Sequence, residues 1–214
     1  TGGHTITGWY LQQLVKFGSV ARAKELNLTD DVMIWDSDLF PITRVPVFDH
    51  SGRAYLMVDN KNKSEYDPAV LAVVKEPMKR SPEGYTFVTH HMVMNRKVVS
   101  EMLGFVVRHN TAQDWATRML EASCPSKNYC LLSEYALYSS WILRHNPEMV
   151  VVEQKRQRRY PFLSQSCCPQ NYLFAWVDRL LGLQAINFEG GCFSRPRFIC
   201  SGLFRAVGRD CPSA

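Results

Sequence analysis

The segment VMIWDSDLFPIT, residues 32–43, places two carboxylates at the end of an apolar run. Asp36 and Asp38 are two positions apart, and side chains at that spacing point to the same side of an extended segment. Two carboxylates held close together repel each other unless a cation or protons lie between them. Hard divalent ions such as Mg²⁺ and Mn²⁺ prefer these oxygen ligands and also bind substrate phosphates. The segment therefore predicts a metal site, with a helix-capping Asp36 and a solvated Asp38 as the simpler alternative.

The elements that must position this pair alternate between strands and helices. Residues 32–35 form a short continuous apolar run, which is typical of a strand buried on both faces. Asn95 and Ser133 are placed to cap the helices that follow them. We expect strands at 53–58, 85–94 and 150–154, two short helices within 9–28 separated at Gly18 and Ser19, and further helices at 68–76, 96–107, 111–122 and 133–145.

This alternation predicts an α/β fold with a mainly parallel sheet and flanking helices. In such folds, ligands bind beyond the carboxyl ends of the strands. Asp36 and Asp38 occupy such an end, whereas Leu11, Leu14, Val15 and Phe17 are expected on the apolar face of the first helical segment.

Charge and hydropathy narrow the classes of partner. The chain has 214 residues and a formal net charge of +5, which favours anionic partners only weakly. The cluster KRQRRY, residues 155–160, indicates a solvated basic face or a phosphate contact. Zinc-finger and aromatic RNA-binding motifs are absent from the sequence, so no nucleic acid is expected as a partner. No apolar run of about 18 residues is present, so we expect no membrane span in this chain.

Cysteine usage and sequons bear on the compartment. All seven cysteines follow residue 123, and none forms a C-x-x-C pair. They indicate either thiols in a cytoplasmic protein or disulfides formed in an oxidising compartment. Asn27-Leu28-Thr29 and Asn62-Lys63-Ser64 are glycosylation sequons. Together these features favour the secretory pathway (the Golgi lumen) or the extracellular space, with the cytoplasm as the alternative. We expect a catalytic domain over residues 1–160 and a cysteine-bearing C-terminal extension over residues 161–214.

A buried strand that ends in D-x-D resembles two classes of enzyme. In the haloacid-dehalogenase-like phosphatases the first Asp is a nucleophile, and Thr or Val follows two residues after the second Asp. Phe40 stands at that position here, which departs from the pattern. In the nucleotide-sugar glycosyltransferases of the GT-A type, both Asp residues and a divalent ion hold the sugar-nucleotide diphosphate.

Further blocks of sequence extend the second resemblance. In their order along the chain they resemble a family of uncharacterised proteins regarded as glycosyltransferase-like, and the resemblance covers residues 8–147. The resemblance implies a GT-A-like (Rossmann-like) fold. Only about thirty residues precede Asp36, so the first strand-helix unit of that fold is expected to be incomplete or missing. The matching blocks are GWYLQQLVKFG (8–18), IWDSDLFPIT (34–43), FVTHHMVMNRKVVSEML (87–103) and SEYALYSSWILRHNP (133–147).

The resemblance also implies roles for residues inside these blocks. Asp36 and Asp38 would hold Mn²⁺ or Mg²⁺ and, through it, the diphosphate of a nucleotide-sugar donor. Lys16 is a candidate for phosphate binding. His90 and His91, taken as the end of the 85–94 strand, are candidates for contacts with the donor sugar or the ion.

Glu134 opens a late helix, where GT-A proteins often place an acidic residue that faces the acceptor. In inverting enzymes this residue is the general base that deprotonates the acceptor hydroxyl. The expected activity is transfer of a sugar to a hydroxyl on a glycan, a protein or a small molecule. The alternatives are a metal-dependent phosphatase or phosphotransferase that uses Asp36, and a non-catalytic member that binds a glycan or a partner.

Overall fold

The computed structural model describes residues 6–36, 39–41, 43–59, 63–109, 114–123, 131–154, 157–159, 179–182 and 184–187. Asp38 and all seven cysteines therefore lie outside the described residues. The chain divides into two compact units. The first contains residues 1–35 and 46–155, and the second contains residues 36–45 and 156–214. The expected division at residue 160 stays a prediction.

The described elements alternate between helices and short strands. The helices are α1 (Ile6–Ala21), α2 (Asp67–Val74), α3 (Arg96–Arg108), α4 (Trp115–Ser123) and α5 (Glu134–His145). The strands are β1 (Asp31–Trp35), β2 (Leu39–Pro41), β3 (Ala54–Val58), β4 (His91–Asn95), β5 (Val150–Gln154), β6 (Gln157–Arg159) and β7 (Ala185–Asn187). Single 3-10 turns precede α2 and β5, at Ser64–Tyr66 and Pro147–Met149.

The first unit combines all five helices with two strand pairs. β1 runs antiparallel to β4, with Asp31 opposite Asn95 and Trp35 opposite His91. β3 runs parallel to β5, from Ala54 opposite Val150 onwards. The predicted mixed α/β class is confirmed. The described strands pair in both directions because β4 returns along β1, whereas strand–helix alternation alone led us to expect a mainly parallel sheet.

The second unit contributes a small sheet of three strands. β7 lies in its centre, antiparallel to β2 and parallel to β6. The Thr43 amide donates a hydrogen bond to the Gln184 carbonyl (3.3 Å) beyond the end of the β2–β7 ladder. Leu39 of β2 is buried.

The core of the first unit lies between the helices and strand β4. Positions 91–94 of β4 are all buried, whereas only Ile34 of β1 is buried. The expectation that residues 32–35 are buried on both faces is therefore wrong for three of the four. β4 pairs with β1 and also packs against β3, whereas β1 pairs with β4 alone among the described strands and is covered less completely.

Helix α1 differs from its prediction in continuity and in orientation. It runs through Gly18 and Ser19 without a break. Leu11 and Val15 are 60% and 55% exposed. Phe17 is buried as expected, and Leu14 packs partly buried against the core. The other buried positions of the helix are Tyr10, Gln13 and Val20. The apolar pattern identified only part of this face, because polar contacts to α5 help to fix it.

The two predicted helix caps are confirmed. The Asn95 side chain accepts hydrogen bonds from the amides of Lys97 and Val98 at the start of α3. Ser133 accepts one from the Ala136 amide at the start of α5. Asp114 caps α4 in the same way, and the hydrogen bonds from the amide and hydroxyl of Thr117 hold the pKa of its carboxyl below the usual range. Each cap satisfies amide groups that a helix start leaves without partners.

Gly18 makes α1 less stable than alanine would at this position, and the surrounding side chains leave room for a methyl group there. A Cβ added there would lie 3.8 Å from the Trp115 ring, an ordinary contact distance. Gly18→Ala should therefore raise the free energy of unfolding by about 1 kcal/mol through helix propensity. Gly84, with φ of +80°, is the contrasting control, because Ala in that conformation is strained. Urea denaturation of both variants tests this, and destabilisation by Gly18→Ala would contradict the packing described.

Candidate functional site

The first residue of the predicted metal pair, Asp36, directly follows the last residue of β1. The strand ends at Trp35, and Asp36 is half-buried. The Leu39 amide donates a hydrogen bond to the Asp36 carbonyl (3.0 Å). Asp38 lies outside the described residues, so its predicted pairing with Asp36 stays a prediction.

His91 is the first residue of β4, and His90 directly precedes it. The 85–94 prediction is wrong as one continuous strand: Thr86 makes an isolated bridge to Asp59, and the ladder begins only at His91. Because β4 is antiparallel to β1, this start faces the end of β1. His91 is 5% exposed, and its ring lies 5.2 Å from the Trp35 ring at an angle of 43°.

His90 has an unusual backbone conformation. Its φ is +69°, in the left-handed region that residues with a Cβ rarely adopt. The residue is half-buried, and the Thr89 hydroxyl beside it donates to the His91 carbonyl (3.1 Å). Conformations of this kind are held in place by the surrounding structure and cluster at functional sites. The sequence around His90 did not indicate this strained backbone conformation.

The predicted phosphate ligand and the predicted base form an ion pair. The Lys16 ammonium lies against Glu134 Oε1, with side chains 13% and 2% exposed. The same ammonium lies 5.0 Å from the centre of the Tyr135 ring. A carboxylate this deeply buried needs a counter-charge, and Lys16 supplies it. The phosphate-binding role expected for Lys16 and the general-base role expected for Glu134 stay predictions. Because the two side chains form an ion pair, a change in one alters the surroundings of the other.

Two more side chains of α1 bind the backbone around the start of α5. Gln13 Oε1 accepts a hydrogen bond from the Glu134 amide (2.9 Å). Trp9 Nε1 donates to the Leu132 carbonyl (2.7 Å). Trp9, Gln13 and Lys16 recur at spacings of four and three residues, so they lie along one face of α1. We define these three side chains together with Glu134 as the α1–α5 junction.

Gln13 is the residue that the sequence reasoning missed. It was not singled out from the sequence, yet it is almost fully buried. The available signal was its position midway between Trp9 and Lys16 on the same helical face. Side chains at that spacing lie on one face of the helix and can contact the same neighbouring element, which isolated surface residues cannot.

The described residues offer only part of a metal site. Within these ranges, no three His, Cys, Asp or Glu side chains cluster as a metal-binding group. Asp36 belongs to the second unit and offers carboxylate oxygens, whereas the histidine pair belongs to the first unit and offers imidazole nitrogens. A ligand set built on Asp36 would need Asp38 or substrate oxygens in addition. Among the described helices, none is long and apolar enough to cross a membrane.

Comparison with known proteins adds no relative. No protein-family model matches the chain, and neither the curated proteins nor the solved structures include a significant match. The assignment of function therefore depends on the residues and their geometry.

The strain at His90 can be measured with two matched substitutions. His90→Ala and His90→Gly both remove the imidazole and its contacts, but only glycine adopts φ of +69° without a steric penalty. The glycine variant should be more stable than the alanine variant by about 1 kcal/mol. Chemical denaturation measures the difference. Equal stability of the two variants would show that this backbone conformation is not strained.

Proposed function

We propose that this protein is a metal-dependent glycosyltransferase of the GT-A type, acting on a nucleotide-sugar donor. The observation that supports the proposal is the register of β1 and β4, in which Trp35 pairs with His91. This register sets the histidine pair beside the residue that precedes Asp36. A pair of carboxylates directly after a strand suits a divalent ion that binds a diphosphate.

Asp36 and Asp38 would hold Mn²⁺ or Mg²⁺ in this proposal. When bound, the ion neutralises negative charge that develops on the leaving diphosphate. His90 is the more exposed histidine and would donate a hydrogen bond to a sugar hydroxyl. His91, buried against Trp35, would keep the turn at His90 in position. The strained backbone at His90 fixes the imidazole before the substrate arrives, which reduces the ordering required on binding.

The role of Glu134 depends on access to its carboxylate. A general base must come within hydrogen-bonding distance of the acceptor hydroxyl. The Glu134 side chain is only 2% exposed and contacts Lys16, so an acceptor would reach it only if the α1–α5 junction opened. We therefore propose that Glu134 accepts the hydroxyl proton in an opened state and holds the two helices together in the closed one.

The same burial favours a second candidate, a non-catalytic member of the family that binds a glycan or a partner protein. Lys16 neutralises the Glu134 carboxylate, and Gln13 accepts a hydrogen bond from the Glu134 amide. A purely structural role, holding α1 to α5, accounts for these contacts. In that case Glu134→Gln would reduce stability without affecting ligand binding.

A secretory location is part of the proposal. Asn27 of the first sequon is exposed in the turn after α1, with φ of +58°. Asparagine tolerates this left-handed conformation better than most residues do, and its side chain is accessible there.

Calorimetric titration of nucleoside diphosphates in the presence of Mn²⁺ tests the donor site. We expect one nucleotide to bind only when the metal is present, and Asp36→Asn to abolish that binding without unfolding the protein, because the amide carries no charge to hold the ion. Asp114→Asn is the matched control, since asparagine caps α4 as well as aspartate does. Metal-dependent binding that survives Asp36→Asn would refute the proposed metal role. A folded protein that binds no nucleotide would favour the non-catalytic candidate.

A further inference from the structure

A second concave site lies at the opposite end of β1 from Asp36. It is a cavity of about 240 Å³ within the first unit. Its lining comes from the start of β1, the turn before β3, the end of β4, one face of α5 and the 3-10 turn before β5. Since β1 rises about 3.3 Å per residue, Asp31 lies about 13 Å along the strand from Trp35. The cavity is therefore separate from the site around the histidine pair.

One part of the cavity is apolar. Side chains of Phe48, Ala54, Val93, Ile142 and Met149 line it. Phe48 is 39% exposed, so part of its ring remains open to solvent. This volume lies below the range of about 300–1,000 Å³ that is usual for pockets holding drug-sized ligands. The cavity therefore suits a small ligand with a short apolar body.

One of the side chains that line the cavity is a buried phenol. Tyr138 is almost fully buried, and its hydroxyl accepts a hydrogen bond from the Asn95 amide (2.8 Å). Burial raises the pKa of this hydroxyl well above its usual value, so it remains neutral. A phenol oxygen has a second lone pair, which a ligand donor can use.

The charged groups that line the cavity are mainly acidic. Asp31 uses one carboxylate oxygen to accept from the Asn95 side chain (2.7 Å). Glu148 is exposed, and within the described part of the chain it makes no hydrogen bond or ion pair. Among the described residues that line the cavity, Arg53 is the only cation, and its guanidinium is paired with the Asp49 carboxylate (2.8 Å).

The Asp49 side chain keeps Arg53 from offsetting these acids. It accepts hydrogen bonds from Ser51 and from both the amide and the guanidinium of Arg53. Burial alone would raise the pKa of Asp49, but these hydrogen bonds more than reverse that effect and leave the pKa below its usual range. Asp49 therefore stays ionised and neutralises Arg53, while Asp31 and Glu148 give the cavity an excess of negative charge.

We propose that this cavity binds a small organic amine, with its ammonium group between Asp31 and Glu148 and its apolar body against Phe48, Val93 and Ile142. The ammonium donates to the two carboxylates, which are acceptors only, and to the Tyr138 oxygen. An anionic ligand of the same size would face uncompensated repulsion in this cavity.

Titration of the full chain with n-butylammonium, followed by amide chemical shifts in NMR spectra, tests the proposal. Shifts should concentrate at Gly52, Ala54 and Asn95, which line the cavity. The neutral isostere n-butanol should bind at least several-fold more weakly, and butyrate should not bind. The affinity for the amine should fall as salt is added, because screening weakens contacts between partly exposed charges.

Glu148→Gln supplies the decisive variant, because it removes one charge from an exposed side chain and should leave the fold intact. We expect about fivefold weaker binding of n-butylammonium, the change that a partly exposed ion pair of about 1 kcal/mol produces. Glu101→Gln, an exposed carboxylate on α3 that does not line the cavity, should leave the affinity unchanged. Absence of binding, equal binding of n-butanol, or equal effects of the two substitutions would overturn the proposal.

Discussion

The ion pair between Lys16 and Glu134 is the contact on which the arrangement of the first unit depends. Its carboxylate is buried at the start of α5, so the helix can occupy this position only while α1 supplies a cation and Gln13 binds the Glu134 amide. One turn further along α5, the Tyr138 hydroxyl accepts from the Asn95 amide. Position 95 is both the last residue of β4 and the cap of α3.

Continuity through these contacts links the junction to the ladder between β1 and β4. β4 is held at its end by Tyr138, and its register with β1 then sets His91 opposite Trp35. The cavity proposed to bind an amine adjoins these contacts, because Tyr138 and Asn95 both line it. A single set of contacts between α1, α5 and β4 thus underlies both the Trp35 end of β1 and the cavity at its other end. Disturbing the junction should affect both regions.

Local sequence signals predicted the elements better than their pairing. Asn95 and Ser133 cap their helices as expected, because capping depends on residues only two or three positions away. The direction of β4 depends on contacts distant in sequence, and so alternation of elements did not reveal it. Part of the buried face of α1 was missed for the same reason, since buried Gln13 and partly buried Lys16 make polar contacts to α5 that hydropathy does not encode. The φ of His90 had no signal in the sequence, because histidine has no special preference for that region comparable to that of glycine.

A double-mutant cycle on Lys16 and Glu134 tests the central claim most directly. The free energy of unfolding would be measured for the parent chain, Lys16→Met, Glu134→Gln and the double variant. If the pair holds α1 to α5 as described, Lys16→Met alone is strongly destabilising because it leaves a buried carboxylate without a counter-charge. The double variant should then recover much of that loss, with a coupling energy of about 2 kcal/mol. A coupling energy below about 0.5 kcal/mol, within the range of independent sites, would contradict the account.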